Sequence, residues 1–177
     1  MKTLKLIVIT IMSFVIQLTT DAQSKSLGAV FSFTGLALEY EHYFGTDNSF
    51  IGVSLKAEMP ETFIGRKEFP GVSSSFVWNI SIKEWPSSEG NTIRFFAGPG
   101  ISIGYVPDFK SGYGVFIGLK GRVGLECDFI RDATISLSMS PVVGSHVIFD
   151  GNSSSMKFYR NGLLYTIVPE VGIKHRF

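Results

Sequence analysis

Val171-Gly172-Ile173-Lys174-His175-Arg176-Phe177 closes the chain. Successive side chains on an extended strand alternate faces. Val171, Ile173, His175 and Phe177 therefore share one side, and Gly172, Lys174 and Arg176 share the other. The same alternation runs back through Pro169, Ile167, Tyr165 and Leu163. It predicts one strand over 160–177, mostly apolar on one face, charged on the other, and ending on an aromatic.

Seven further runs upstream repeat the pattern, over 26–33, 35–44, 49–59, 71–84, 92–106, 113–130 and 133–148. In one, Val115, Ile117, Leu119, Val123, Leu125, Cys127 and Phe129 oppose Lys120, Arg122, Gly124, Glu126 and Asp128. In another, Phe76, Trp78, Ile80 and Ile82 oppose Ser75, Asn79, Ser81 and Lys83. The chain has 19 glycines and no long pattern of helical period, which reads as all-β.

Alternation alone leaves open which face is inside. A soluble barrel hides the apolar face and a membrane barrel hides the polar one. Three features favour the membrane. The polar face is rich in Gly and Ser, which suits a cramped interior. The strands often exceed the roughly five or six residues usual in soluble proteins. The apolar face carries Phe44, Phe50, Phe95, Tyr105, Phe129, Tyr165 and Phe177 near strand ends. Tyr165 and Phe177 lie about 28 Å apart along the normal if their strand tilts about 45°, close to an apolar band of about 25 Å between aromatic girdles.

The amino terminus places Lys2 and Lys5 before an apolar run from Leu6 to Leu18, then small residues up to Ala22. This is the pattern of a secretory signal peptide over 1–22, with one domain over 23–177. Charged residues make up 18%, below the roughly 25% of soluble domains. The formal net charge of +1 gives no field suited to nucleic acid. Cys127 stands alone, so no intrachain disulfide forms.

Strand parity puts short connections at 45–48, 85–91 and 131–132 on the side of the termini, and 34–35, 60–71, 107–112 and 149–159 on the other. Short periplasmic turns and longer outer loops are the usual asymmetry. Thr34-Gly35 is the weakest of these turns, and 27–44 read as one bulged strand is the alternative. Asn161-Gly162 carries a type I′ hairpin signal.

The signal peptide, the strands from Leu27 onward and the closing stretch Val171–Phe177 together resemble the small outer-membrane β-barrel proteins of Gram-negative bacteria, the OmpX-like and OmpA-transmembrane-domain-like class. The resemblance implies an eight-stranded antiparallel up-and-down transmembrane β-barrel in the outer membrane. It implies contact with outer-membrane lipid and lipopolysaccharide, and a role for Phe177 in recognition by the barrel-insertion machinery. The class is functionally mixed, so fold alone assigns no activity.

The expected interior set contains the acids Glu39, Glu41, Glu58, Glu126, Asp128 and Glu170 and the bases Lys56, Lys83, Arg94, Lys120, Arg122, Lys174 and Arg176. Their near balance reads as a structural ion-pair network, because buried charges must be paired. No cofactor or metal site is expected: His42, His146 and His175 fall on separate strands without ligand spacing. Ser145-His146, with Glu170 on the next strand, is the candidate for a lipid-modifying enzyme at the outer rim. Adjacent residues on a strand face opposite ways, which separates nucleophile from base. Gly98-Pro99-Gly100 marks a kink or a crowded spot. Arg66 and Lys67 in an outer loop are candidates for lipopolysaccharide phosphates. The expected role is structural or surface-interactive, without catalysis. The alternatives are the rim enzyme, a soluble lipocalin-like barrel with an apolar ligand, and a narrow channel.

Overall fold

The structure is a computed structural model that describes residues 25–44, 48–59, 70–86, 91–108, 112–130, 132–150, 153–164 and 169–177. Its strands are β1 (Lys25–Ser32), β2 (Gly35–Tyr43), β3 (Ser49–Glu58), β4 (Gly71–Pro86), β5 (Thr92–Asp108), β6 (Gly112–Ile130), β7 (Ala133–Met139), β8 (Val142–Asp150), β9 (Ser153–Phe158) and β10 (Glu170–Arg176), with one helical turn, α1 (Asn161–Leu164). All pairings are antiparallel, and β1 through β7 with β10 close into a ring of eight.

Followed sideways from Asp128 through Thr134, Lys174, Gly28, Glu39, Ser54, Ser75 and Ser102, the pairing returns to β6 at Gly118, ten residues from its start. With about 3.3 Å per residue and about 4.8 Å between strands, that stagger sets the strands about 40° from the ring axis. A ring of this size leaves room inside for side chains and little else.

The polar face is the inner one. Leu119 is 71% exposed, Ile173 54% and Ile103 52%, whereas Lys174 is 2% exposed and Glu41 fully buried. Lys120 on β6 reaches across the ring interior past β5 to Ser75 on β4. Among the described residues, no Asp, Glu, Lys or Arg lies on the outer face between the two ends of the ring; Lys25 and Lys83 stand at its edge on the side of the termini. The outward run from Val115 to Cys127 climbs about 30 Å along the axis at that tilt.

The first hairpin is real. Ser32 pairs with Gly35 across Phe33-Thr34, so 27–44 is two strands. Gly35 has φ 149°, and a Cβ there would stand 1.9 Å from the Ala57 carbonyl oxygen. Only glycine fits such a site without displacing β3. Gly98 is the crowded spot expected from the sequence, since a Cβ there would meet the Trp78 carbonyl oxygen at 2.0 Å. Beside it the β4–β5 ladder skips Trp78 and Asn79 without losing register, as Pro99 has no N–H to give.

Four expectations are corrected. The strand expected over 133–148 breaks at Ser140-Pro141 into β7 and β8, both still in one register against β6. Proline cannot donate to the ladder there. The strand expected over 160–177 begins only at Glu170; Asn161-Gly162 belongs to a helical turn instead of a hairpin. The segment 153–158, expected within a loop, is β9 and extends the wall by pairing with β8. Phe50, expected on the apolar outer face, is fully buried inside the ring. Tyr165, Arg66 and Lys67 lie outside the described residues, as does the signal-peptide segment.

Candidate functional site

The interior holds two groups of charges, a central one and one toward the loops, each capped on its outer side by aromatic rings. β2 points Glu39 and Glu41 inward, β6 points Arg122 and Glu126, and β10 points Lys174, each alternating with an outward apolar residue. These five meet at the centre. The Lys174 ammonium donates to Glu41, lies 2.7 Å from Glu126 Oε1 and 3.6 Å from Glu39 Oε2. The Arg122 guanidinium grips Glu39 through both terminal nitrogens, one at 3.0 Å, and stands 3.5 Å from Glu41. Arg94 reaches Glu126 Oε2 at 3.3 Å. Three carboxylates therefore face three cations. Ser26 and the Tyr43 hydroxyl donate to the remaining Glu41 oxygen at 3.0 and 2.8 Å.

Toward the termini the cluster is sealed by rings. Tyr43 stacks on Phe50 at 4.9 Å, and Phe50 meets Phe96 edge-on at 5.4 Å. Arg94 and Arg176 lie over the Tyr43 ring and Arg122 over Phe96. A guanidinium over an aromatic face gains cation–π attraction while burying little bare charge. At the mouth Arg176 pairs with Asp128 at 3.2 Å.

Toward the loops a second group forms. Lys56 lies 3.4 Å from Glu58 and 3.7 Å from Glu170, and donates to Thr34 at 2.6 Å. Ser73 and Ser140 bond Glu58 and Glu170, each at 2.8 Å. Lys120 donates to Ser75 at 3.0 Å. This second group lines a polar chamber of about 60 Å³, large enough for waters and little more.

The chamber is stoppered by the turn after β9. Tyr159 stacks on Phe116 at 4.6 Å and on the fully buried His146 at 6.0 Å. Asp108 accepts hydrogen bonds from the Arg160 and Asn161 amides at 3.1 and 3.0 Å, and the Asn161 side chain donates to the Pro107 carbonyl at 3.0 Å.

Of the thirteen charges expected inside, Lys83 is the one that the structure puts elsewhere. The β4–β5 register shifts between Ser81 and Lys83, so Ile82 is an extra residue and everything after it changes face. Lys83 turns outward over Trp85, and Glu84 takes the inward side to bind Arg94 at 2.8 Å. Glu84, the ring stack and the Tyr159–Asn161 stopper were missed by pattern reading. Within the stack, Tyr43 shares the face of Glu41 by alternation and Phe96 that of Arg94, each two residues away. Ser145 faces out and His146 in, so the rim pair has no nucleophile–base contact. His42 and His175 face outward, each against a phenylalanine ring. Phe177 ties the end of β10 to the start of β1: its amide donates to the Lys25 carbonyl at 2.9 Å. No protein-family model matches the chain, and no curated protein is similar to it in sequence.

Proposed function

We propose that the chain is a transmembrane β-barrel of the outer membrane with a structural or surface-display role and no catalysis. One observation carries the reading: among the described residues, an outer wall free of acidic and basic side chains between its ends surrounds an interior of paired charge. Water on the outside would leave Leu119, Ile117, Ile101 and Leu55, all more than half exposed, as a wall of unburied apolar surface far beyond the few hundred Å² that soluble monomers show. Lipid tails remove that cost.

The interior argues against conduction and against a lipocalin-like ligand. It is filled with ion pairs at the centre, rings on one side and the Tyr159 stopper on the other. The wall argues against a rim enzyme of the Ser–His kind. Phe177, next to the strand that closes the ring, is the residue offered to the insertion machinery, and the connections at the far end of the ring are the surface presented outside.

Two treatments of the full chain test the proposal. Carbonate washing of membranes is expected to leave it in the pellet, and unboiled samples are expected to migrate differently from boiled ones on a detergent gel. Release into the wash contradicts the proposal.

A further inference from the structure

The register shift at Ile82 decides the charge of the wall's lower edge. In an unbroken ladder Glu84 would face out, and Lys83 would face in beside Arg94, cation against cation. One extra residue exchanges the two. The acid goes inside to Arg94 and the base goes to the outer wall. Asp128, at the same mouth, likewise points inward, to Arg176, and Asp132 lies in the β6–β7 connection. Among the described residues, the charges on outward strand positions at this end are therefore basic only: Lys83 and Lys25.

The two lysines share a level. From Lys25, three sideways steps through His42 and Ile51 to Trp78 climb about 9 Å, and the descent by way of Ile80, Ala97 and Phe95 to Lys83 takes back about 10 Å. The outward rings of Phe44, Trp85 and Phe177 lie at or just below that level. Such rings mark the boundary between hydrocarbon and headgroups. The Lys83 ammonium stands 5.2 Å from the Trp85 ring centroid, and among the described residues no carboxylate reaches it. Above it, the exposed Ile80 and Ile82 begin the apolar wall. A cation with N–H donors to give thus stands where a bilayer lipid changes from acyl chain to phosphate.

We infer that this edge binds anionic glycerophospholipid, with Lys83 donating to the phosphate while the acyl chain lies along Ile80 and Ile82. A phosphatidylcholine headgroup carries its own ammonium, so a headgroup of net negative charge is preferred. Lys25 presents the same charge at the same level, three strands away. The inference rests on the lipid-facing reading of the wall, so the test scores the two separately.

The chain has two tryptophans. Full-length Trp78→Phe and Trp85→Phe proteins, each with one reporter left, are reconstituted in phosphatidylcholine vesicles. A fixed fraction of the lipid carries a nitroxide near the top of its acyl chain, on either phosphatidylglycerol or phosphatidylcholine. Trp85 reports the edge, and Trp78, outward and higher on β4, reports the wall. Labelled phosphatidylglycerol is expected to bind beside Trp85 about fivefold more strongly than labelled phosphatidylcholine, with no such preference at Trp78. Lys83→Gln is expected to remove the preference and Lys83→Arg to keep it, and high salt to weaken it by screening. Each variant is checked for the folded band on an unboiled gel. Equal quenching of Trp85 by the two lipids, or a preference that survives Lys83→Gln, overturns the headgroup contact and leaves the barrel standing. No quenching of either tryptophan overturns the barrel reading itself.

Discussion

Lys174→Met is the sharpest probe of the interior. The side chain is fully buried, and its ammonium stands among Glu41, Glu126 and Glu39. Methionine matches its length and apolar stem. What disappears is one of the three cations facing three carboxylates, leaving only Arg122 and Arg94 to balance them. Removing one partner from a buried ion pair costs about 3–5 kcal/mol, because the remaining charge stays desolvated. Urea titration in micelles, followed by tryptophan fluorescence, reads this directly. At an m-value of about 2 kcal/mol/M, the midpoint falls by about 2 M. Glu126→Gln added to Lys174→Met removes one orphaned charge, and the double variant is expected to regain about half of the loss. A Lys174→Met protein within about 0.5 kcal/mol of the parent, or a double variant no better than the single one, refutes the idea that charge balance governs this cluster.

Gly35→Ala places a Cβ 1.9 Å from the Ala57 carbonyl in a left-handed backbone and is expected to lower the urea midpoint by more than about 1 kcal/mol in free energy. Tyr159→Ala removes the ring stacked on Phe116, with an expected loss of about 3 kcal/mol in the same titration. Arg94→Gln, which abandons Glu84 and Glu126, is expected to cost about 1.5–3 kcal/mol. Lys83→Gln, on the outer face, stays within about 0.5 kcal/mol; equal losses for the two exclude the register shift at Ile82.

How much of this was legible in the sequence varies with the physics involved. Strand alternation is a period of two, and it separated the two faces, with Lys83 the one named charge that falls on the other side. The pattern fails wherever one residue is inserted or a hydrogen bond is withheld. Ile82 leaves no mark, because an isoleucine and a lysine in succession look the same in a regular strand or a bulge. Pro141 was visible, but its consequence was not: β6 bridges the break by pairing with both halves. The last strand misled for another reason. Leu163, Tyr165 and Ile167 continue the alternation of Ile173, while Tyr159 and Asn161 gain more from the ring of Phe116 and the carboxylate of Asp108 than from a ladder. Long-range partners of that kind have no local signature. Phe50 was misassigned for a different reason: its hydrophobicity pointed to lipid, although alternation sets it on the face of Ser54 and Lys56.

The central claim is that the outer wall faces lipid tails, and nitroxide accessibility in bilayers tests it most directly. In a Cys127→Ser background, single cysteines at Ile103, Leu119 and Ile173 carry the label. Oxygen, which concentrates among acyl chains, is predicted to relax all three strongly, while a water-soluble nickel chelate hardly touches them. Strong relaxation by the nickel chelate at Leu119 and Ile173 places those side chains in water and contradicts the account.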